Sequence, residues 1–341
     1  MEPLAHYRPD PSLADKVAAL GRSDLYRDET AAVACMETHM SWVFLTERYA
    51  YKLKKPVRYE YLDFSTPALR RFNCEEEIRL NRRLAPDIYL DVVPLTLGTR
   101  GRLELDGDGP AVDWLVKMRR LPAAGMLDTA IGARTLRPGD IARIADLLAE
   151  FFANTPRVAI AADTYCARFE NEIALNRAEL PRYGLSPEEI EGPLGCQAAF
   201  LQWRRDTLER RSLERRIVEG HGDLRPEHIF IGPPARVIDC LEFNYTLRLI
   251  DPVDEIGYLA MECERLGAPA IGERVLAAYE ARTGDQPPAA LLHFYMSFRA
   301  GLRARLAIWH LRDEIVADRA KWIDRARDYL RHARWHAEAI C

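Results

Sequence analysis

The sequence lacks long apolar segments and lacks cysteine pairs with metal-binding spacing. No apolar run reaches the roughly eighteen residues that a membrane-spanning helix needs. Residues 1–16 carry charges and prolines where a signal peptide would have an apolar core. The seven cysteines are scattered and without CxxC spacing, so we expect no disulfide framework and interpret each as a small buried hydrophobe. These absences favour a cytoplasmic protein without a membrane partner.

Neither sign of charge is in large excess. The 48 basic and 52 acidic side chains give a formal net charge of −4, which offers no reason to expect nucleic acid as the main partner. The content of 48% hydrophobic and 29% charged residues is typical of a globular protein. A chain of 341 residues can bury a sizeable core in one two-lobed unit or two domains.

The residue pattern changes once along the chain, near Pro122. Before this point, short apolar or aromatic segments predict six strands, and a cap at Thr66 followed by Pro67 predicts one helix. The strands are 32–36, 42–45, 49–53, 89–97, 102–105 and 111–118, and the helix is 68–84. The later segments have helical spacing: 138–152, 165–180, 195–218, 255–266, 272–283, 288–311 and 313–340. We therefore predict an α+β fold with a strand-rich N-lobe, residues 1–121, and a larger helical C-lobe, residues 122–341.

Two aspartates flank a predicted hairpin in the second half of the chain. Asp223 lies in a loop before the short strand 229–231, and Asp239 lies at the end of the partner strand 237–239. Two carboxylates placed in this way can share one small site, where one orients a hydroxyl and the other holds a divalent cation. By itself, an aspartate in such a loop is equally compatible with a capping or turn role.

The order of residues around Asp223 resembles the catalytic loop of kinases, H-x-D-L-x-x-x-N. The glycine at position 222 of this loop resembles the loop of the aminoglycoside phosphotransferase and choline kinase branch of the protein-kinase-like fold. A closer resemblance, over residues 30–310, is to an uncharacterised bacterial subfamily of that branch, and it rests on segments 37–45, 51–56, 238–244, 247–251 and 254–259. Some members of the subfamily are fused to a P-loop ATPase domain. This chain contains no GxxxxGK[ST], so we expect that second activity to be absent.

The resemblance implies that the N-lobe binds ATP with a small antiparallel sheet. Lys52 is similar to the strand lysine that pairs with the nucleotide phosphates, although beside Lys54 and Lys55 it could be an ordinary basic strand end. Glu77, or alternatively Glu76, is expected to orient Lys52. The phosphate-covering loop corresponds to the glycine-free residues 37–41, with the hydroxyls of Thr38 and Ser41 as candidate ligands, and the strand that reaches Met118 is expected to bind the adenine edge through its backbone.

The same resemblance implies that the C-lobe carries the catalytic loop and the acceptor site. Asp223 is expected to accept the proton of the substrate hydroxyl, and Arg225 to neutralise the transferring phosphate. Asp239 is the expected Mg²⁺ ligand, and Glu242 either assists it or contacts substrate. His228 stands where related enzymes have a metal-binding asparagine, and imidazole suits Mn²⁺ better than Mg²⁺. The predicted roles of Asp254 are to hold the catalytic-loop backbone or to cap a helix.

These expectations leave more than one function open. The leading hypothesis is an ATP-dependent phosphotransferase that acts on a hydroxyl of a small molecule, with Mg²⁺ or Mn²⁺. The alternative is a nucleotide-binding pseudokinase that acts as a regulatory or partner-binding module, and nucleotidyl transfer is a third possibility. Three arginines of segment 288–311 predict either a basic outer helix face or the lining of an anionic acceptor site: Arg299, Arg303 and Arg305. The sequence does not identify the acceptor or the oligomeric state.

Overall fold

The computed structural model describes residues 10–27, 30–59, 61–99, 101–312 and 318–341. The chain divides into two compact units. The first is Met1–Pro122 together with Val237–Tyr245, and the second is Ala123–Arg236 together with Thr246–Cys341. Residues 237–245, which contain Asp239 and were predicted within the C-lobe, thus belong to the strand-rich unit.

The first unit is built on a six-stranded antiparallel sheet with the strand order β1-β2-β3-β8-β6-β7. A two-stranded hairpin, β4–β5, and two helices, α1 and α2, complete it. The elements are α1 (Leu13–Leu20), β1 (Ala34–Glu37), β2 (Ser41–Leu45), β3 (Tyr49–Lys54), β4 (Arg58–Tyr59), β5 (Leu62–Asp63), α2 (Pro67–Asn81), β6 (Tyr89–Leu97), β7 (Leu103–Leu105) and β8 (Ala111–Arg119).

The two faces of this sheet bury different residues. Successive side chains of a strand point to opposite faces. On one face, Tyr51 and Leu53 of β3 pack with Leu20 of α1 in an apolar core. On the other face lies α2, which is capped by Thr66, whose hydroxyl accepts the N–H of Leu69 at 3.2 Å. The side chains of β3 that alternate with Tyr51 and Leu53 therefore point toward α2.

The second unit is mainly helical. Its helices pack around a core of aromatic side chains on α5 and α11, with Phe169 in contact with Phe294 and Phe298. The helices are α3 (Leu127–Gly132), α4 (Pro138–Asn154), α5 (Ala162–Glu179), α6 (Pro187–Trp203), α7 (Arg205–Leu213), α8 (Tyr245–Arg248), α9 (Pro252–Arg265), α10 (Ala270–Thr283), α11 (Ala289–Trp309) and α12 (Arg319–Glu338). The short strands are β9 (Val218–Glu219), β10 (Ile229–Phe230), β11 (Arg236–Val237) and β12 (Leu249–Ile250). The predicted α+β class, with a small antiparallel sheet and a larger helical part, is confirmed.

Two predicted elements have different bounds in the structure. The predicted helix 195–218 is two helices in the structure, because the chain leaves helical geometry at Arg204, between α6 and α7. The first of them, α6, begins earlier than predicted, at a capping box between Ser186 and Glu189. Val218, at the predicted helix end, is in β9. The predicted helix 313–340 is observed as α12, and residues 313–317 lie outside the described residues.

The cysteines do not all follow the prediction of small buried hydrophobes. Cys196 of α6 and Cys341 after α12 form a disulfide, with Cα atoms 5.6 Å apart. The disulfide forms because α6 packs against α12, which brings together residues that are 145 positions apart in the sequence. Cys35 is exposed, whereas the remaining four are buried as predicted: Cys74, Cys166, Cys240 and Cys263. Across the described ranges, no helix combines the length and the apolarity that a membrane span requires.

Candidate active site

Lys52 lies between two carboxylates in the first unit. Its Nζ is 2.9 Å from Oε1 of Glu77 on α2 and 2.7 Å from Oδ1 of Asp239. Glu77 is fully buried, whereas the Asp239 side chain is 46% exposed. The alternative acid, Glu76, pairs with Arg79 on the same helix. The structure therefore brings three predicted site residues together, with Glu77 as the acid beside Lys52.

Lys54 makes a second set of ion pairs, which sequence reasoning missed. Its Nζ is 2.6 Å from Oε2 of Glu77 and also contacts Glu242, and its side chain is fully buried. Glu77 thus uses one carboxylate oxygen for each lysine. Residues two apart in a strand share a face, so the Lys52–Lys54 spacing was the available signal. Glu242, which we predicted to assist the metal or contact substrate, binds Lys54 in this structure.

Both lysines stay protonated, while the two acids that share Lys54 differ in acidity. Burial lowers the pKa of both Lys52 and Lys54, but their carboxylate partners outweigh burial and raise each pKa above its ordinary value. Burial raises the pKa of Glu77, and the two lysines more than reverse this effect, so its pKa is lowered. For Glu242 burial dominates, and its pKa is raised. Glu242 therefore takes up a proton before Glu77 as the pH falls.

The backbone at Asp239 has a left-handed conformation, with φ +61°. Its N–H donates to Tyr89 Oη at 2.9 Å, and the N–H of Cys240 donates to Asn81 Oδ1 at 2.9 Å. Tyr89 and Asn81 are buried. Aspartate is one of the few residue types other than glycine that visits this region. β11 ends at Val237 and does not extend to Asp239 as predicted.

The turn between β1 and β2, which was predicted to cover the phosphates, is stabilised by hydrogen bonds between its own residues. The Thr38 hydroxyl donates to the carbonyl of Ser41 at 2.9 Å and accepts the N–H of Ser41 at 3.0 Å. Ser41 is buried at the start of β2. Both residues therefore shape the turn, and their contact with phosphate stays a prediction.

Four aromatic rings connect this turn to the segment that follows Asp239. The ring centroids are 5.4 Å apart between His39 and Tyr59, 5.8 Å between Tyr59 and Tyr61, and 5.9 Å between Tyr61 and Phe243. We call this set the aromatic stack. A cavity of about 500 Å³ beside it is lined by Arg58, Tyr59, Tyr61, Leu62, Asp63 and Phe243. The β4–β5 hairpin carries the two central rings and was not predicted.

Met118, the predicted adenine-binding position, lies near the end of β8. It is paired with Ala50 of β3 and Tyr89 of β6, in the middle of the sheet. Its side chain packs against the apolar cluster between the sheet and α2. The contact of its backbone with adenine stays a prediction.

In the second unit, Glu255 of α9 anchors the loop that carries Asp223. Its carboxylate accepts the N–H of His221 at 2.8 Å and that of Gly222. Burial raises the pKa of Glu255 to about 7. A Cβ atom on Gly220 would lie 2.4 Å from Oε2 of Glu255, and Gly222 has φ +86°. Both glycines are therefore needed where the loop passes over this carboxylate.

The prediction that Asp254 holds the catalytic-loop backbone is wrong. Its carboxylate pairs with Arg299 of α11 at 2.6 and 2.8 Å, and both side chains are buried. Successive helical residues point in directions about 100° apart, because a turn contains 3.6 residues. The next residue, Glu255, therefore faces the loop. The N-cap of α9 is Asp251, whose side chain accepts the N–H of Val253 at 3.0 Å.

The Asp223 carboxylate is held by two side chains of its own unit. Arg225 donates to its two oxygens at 2.9 and 3.0 Å, and the Tyr258 hydroxyl donates to Oδ1 at 3.0 Å. Burial raises the pKa of Asp223, but the positive charges of Arg225 and Arg303 outweigh burial and lower the pKa to well below its ordinary range. Asp223 is therefore ionised at neutral pH and has a low proton affinity.

His228 and Arg225 complete the hydrogen bonds of the loop. Nδ1 of His228 is 2.8 Å from the main-chain oxygen of Asp223, and its Nε2 is 3.2 Å from Nη2 of Arg225. A carbonyl only accepts and a guanidinium only donates, so a neutral ring with its proton on Nδ1 satisfies both contacts. Arg225 also contacts Glu227 at 2.5 Å. A metal at Nε2 would displace Arg225, so this arrangement works against the predicted metal role of His228.

The predicted basic outer face of segment 288–311 is wrong. Its three arginines have side-chain exposures of 15% or less and pair with acids of the same unit: Arg299 with Asp254, Arg303 with Glu262, and Arg305 with Glu172. Arg303 also contributes to the lowered pKa of Asp223, so the alternative that this segment lines an anionic acceptor site stays a prediction.

Relatives in sequence cover most of the chain. Uncharacterised proteins of Mycobacterium tuberculosis and Mycobacterium bovis are 32% identical to it over 312 residues, which is 87% of this chain and 59% of theirs. The chain thus spans somewhat more than half the length of the curated relatives it matches. No protein-family model matches it.

Solved structures similar to this chain are small-molecule kinases. A choline/ethanolamine kinase family protein from Mesorhizobium loti matches with a TM-score of 0.50 and 14% identity, over 94% of this chain and 99% of that one. Choline kinase from Cryptosporidium parvum gives 0.54 and 9%, over 90% and 89%. A glucosamine kinase gives 0.50 and 15%, over 91% and 80%. At these identities the likeness concerns the fold, and the chain has the protein-kinase-like fold of these enzymes, as the resemblance implied.

Proposed function

We propose that the chain is a kinase that transfers the γ-phosphoryl group of ATP to a hydroxyl of a small molecule. The observation that carries the proposal is the position of Lys52, whose Nζ lies 2.9 Å from the buried Glu77 and 2.7 Å from Asp239. A protonated lysine oriented by a helical acid, beside a half-exposed carboxylate, is the set of groups that phosphoryl transfer uses for the nucleotide and its metal.

The first unit would bind the nucleotide. Lys52 would pair with its phosphates, and the β1–β2 turn, with Thr38 and Ser41, would cover them. The β8 backbone at Met118 would bind the adenine edge.

Asp239 fits a hard divalent cation such as Mg²⁺. Within the described ranges no group of three or more histidine, cysteine or acidic side chains could hold a metal ion. Mg²⁺ is ordinarily bound by one or two carboxylates together with phosphate oxygens and water, so one half-exposed carboxylate suits it. When bound, the ion would neutralise charge on the phosphates. Mn²⁺ in place of Mg²⁺, with His228 as a ligand, would require Arg225 to leave that ring.

The second unit would supply the groups that act on the acceptor. Asp223, ionised and held by Arg225 and Tyr258, would accept a hydrogen bond from the acceptor hydroxyl and take its proton as the new O–P bond forms and ADP leaves. Its low pKa is compatible with this role, because a loose phosphoryl-transfer transition state needs orientation more than a strong base. Arg225 would neutralise phosphate charge only after loosening its contact with Glu227.

The test is ADP formation from ATP with Mg²⁺ against a panel of hydroxyl compounds that includes choline, ethanolamine and glucosamine. We expect one or more to stimulate ADP release, and Asp223→Asn to reduce that stimulation about 10²-fold or more. Asp239→Asn should raise the Mg²⁺ requirement. Asp108→Asn, in an exposed turn of the first unit, is the matched control. Stimulated release that Asp223→Asn leaves unchanged would contradict the role of Asp223.

A second candidate function is a nucleotide-binding pseudokinase with a regulatory or partner-binding role. The observation that favours it is the set of contacts in which Arg225 occupies both oxygens of Asp223 and His228 replaces the metal-binding asparagine. ATP binding without ADP formation, insensitive to Asp223→Asn, would establish this alternative.

The proposal includes a cytoplasmic location, where ATP and Mg²⁺ are supplied, and a small-molecule acceptor without a nucleic-acid or membrane partner. Cell fractionation with an antibody against the chain tests it, and recovery outside the cytoplasmic fraction would contradict it.

A further inference from the structure

The Glu77 carboxylate is held by two lysines, and only Lys52 has a second task in the proposed reaction. We propose that Lys54 is a positioning residue, which holds Glu77 and the segment from Asp239 to Glu242 in place so that Lys52 can leave Asp239 for the nucleotide phosphates. The exchange of partners by Lys52 rests on the proposed function, whereas the anchoring by Lys54 does not.

The contacts form a closed ring of charges. Lys52 joins Asp239 to Glu77, and Lys54 joins Glu77 to Glu242, which is three residues beyond Asp239. The four contacts therefore begin and end on one short segment. The same segment is held from its backbone side by the hydrogen bonds of Tyr89 and Asn81. Lys54 and Glu242 thus fix the far end of the metal-binding segment.

Burial separates the two lysines by role. Lys54 and Glu77 have no exposed side-chain surface, and the Lys54 ammonium also lies 5.0 Å from the centre of the Phe64 ring. Lys52 is 15% exposed, and its partner Asp239 is 46% exposed. Only the Lys52 end of the ring is open to a ligand, so Lys54 is the anchor and Lys52 is the exchangeable member.

Electrostatics explain why a second lysine is useful. A buried carboxylate that loses its counter-ion is strongly disfavoured. If Lys52 were the partner of Glu77 by itself, Glu77 would compete with the nucleotide phosphates for that ammonium. Lys54 keeps Glu77 neutralised during the exchange, so Lys52 can bind phosphate without releasing α2. The ring has three carboxylates and two lysines, and its net charge of −1 favours the arrival of a cation at Asp239.

Amide hydrogen exchange without nucleotide tests the anchoring directly. In Lys54→Met, which keeps an unbranched apolar stem, we expect exchange at least about tenfold faster in α2 around Glu77 and in residues 239–242. In Glu242→Gln we expect the acceleration in residues 239–242 and not in α2. In Lys52→Met we expect neither, because Lys54 retains Glu77. Faster α2 exchange in Lys52→Met but not in Lys54→Met would overturn the proposal.

Binding of Mg²⁺–ADP tests the exchange of partners. We expect Lys54→Met to raise the Kd at least about fivefold through the competition by Glu77 for Lys52, and Lys52→Met to raise it further. Lys16→Met is the matched control, because Lys16 is also a buried lysine of this unit, paired with Asp113 at 2.8 Å away from the ring. It should lower stability and leave the Kd unchanged.

The failures of the two proposals can be told apart. If the wild-type protein does not bind Mg²⁺–ADP, the proposed function fails, and the exchange rates still decide the role of Lys54. If it binds and Lys54→Met matches Lys16→Met in Kd, Lys54 has a structural role alone and the positioning proposal is wrong. If Lys54→Met does not fold, the exchange rates of Glu242→Gln and Lys52→Met in residues 239–242 are compared instead. Faster exchange in Glu242→Gln but not in Lys52→Met would support the anchoring by Lys54, and the reverse would contradict it.

Discussion

Glu255 places an ionisable carboxyl directly beneath the loop that carries Asp223. Because burial raises its pKa to about 7 from an ordinary 4.5, it takes up a proton near neutrality, and its hydrogen bonds from His221 and Gly222 weaken below that pH. We therefore expect turnover to fall on the acid side of about pH 7. In Glu255→Gln this acid limb should disappear and turnover should be low throughout, as a pH–rate profile would show.

The same group predicts a pH dependence of stability with the opposite sign. The folded protein binds this proton more tightly than the unfolded chain, so the contribution of Glu255 is fully present below about pH 4.5 and is lost as the pH rises through about 7. The difference is on the order of 3 kcal/mol at most. Urea unfolding of wild type and Glu255→Gln across this range measures it, with exposed Glu150→Gln as control. Parallel curves for wild type and Glu255→Gln would show that the pKa is not raised.

At the scale of elements, the aromatic stack on the β4–β5 hairpin connects the β1–β2 turn, which is predicted to cover the phosphates, to the segment that follows Asp239, the proposed metal ligand. Ring pairs of this kind contribute about 0.5–1.5 kcal/mol beyond buried area. We expect Tyr61→Ala to loosen the turn at residues 38–41 and to weaken Mg²⁺–ADP binding roughly threefold to tenfold. Tyr61→Phe should keep the wild-type Kd, because it retains the ring. The exposed Phe72 of α2 supplies the control Phe72→Ala, and equal Kd values for the two alanine variants would contradict a role of the stack.

At the scale of the molecule, the Cys196–Cys341 disulfide closes a long loop of the helical unit across α6 and α12. A crosslink over 145 residues restricts the unfolded chain, and we expect its loss to reduce the free energy of unfolding by about 2–4 kcal/mol. Urea unfolding with and without reductant, and of Cys341→Ser, measures the effect. Cys35→Ser, at the exposed cysteine, is the control. Because disulfides seldom persist in the cytoplasm, recovery of this bond from cells would also argue against the proposed location.

Local patterns predicted much of the fold and the motif residues of the site. Apolar and aromatic segments placed β3 and β6 within one residue of their observed ends, and the kinase-like order of residues singled out Lys52 and Asp239, which the structure brings together. The catalytic role of Asp223 stays a prediction. Pairings that depend on long-range packing were not predictable in this way. Lys54 and Glu242 meet across 188 residues, and the choice between Asp254 and Glu255 depends on the rotation of α9 about its axis.

The positive φ of Asp239 decides which substitution can test its proposed role as a metal ligand. An alanine at this position would remove the carboxylate and also place a residue that disfavours the left-handed region, so any loss of Mg²⁺ binding would be mixed with a relaxed backbone. Asparagine tolerates that region and differs from aspartate mainly in charge. Asp239→Asn is therefore the variant that isolates the charge of the proposed metal ligand, since asparagine can keep the backbone conformation of the segment.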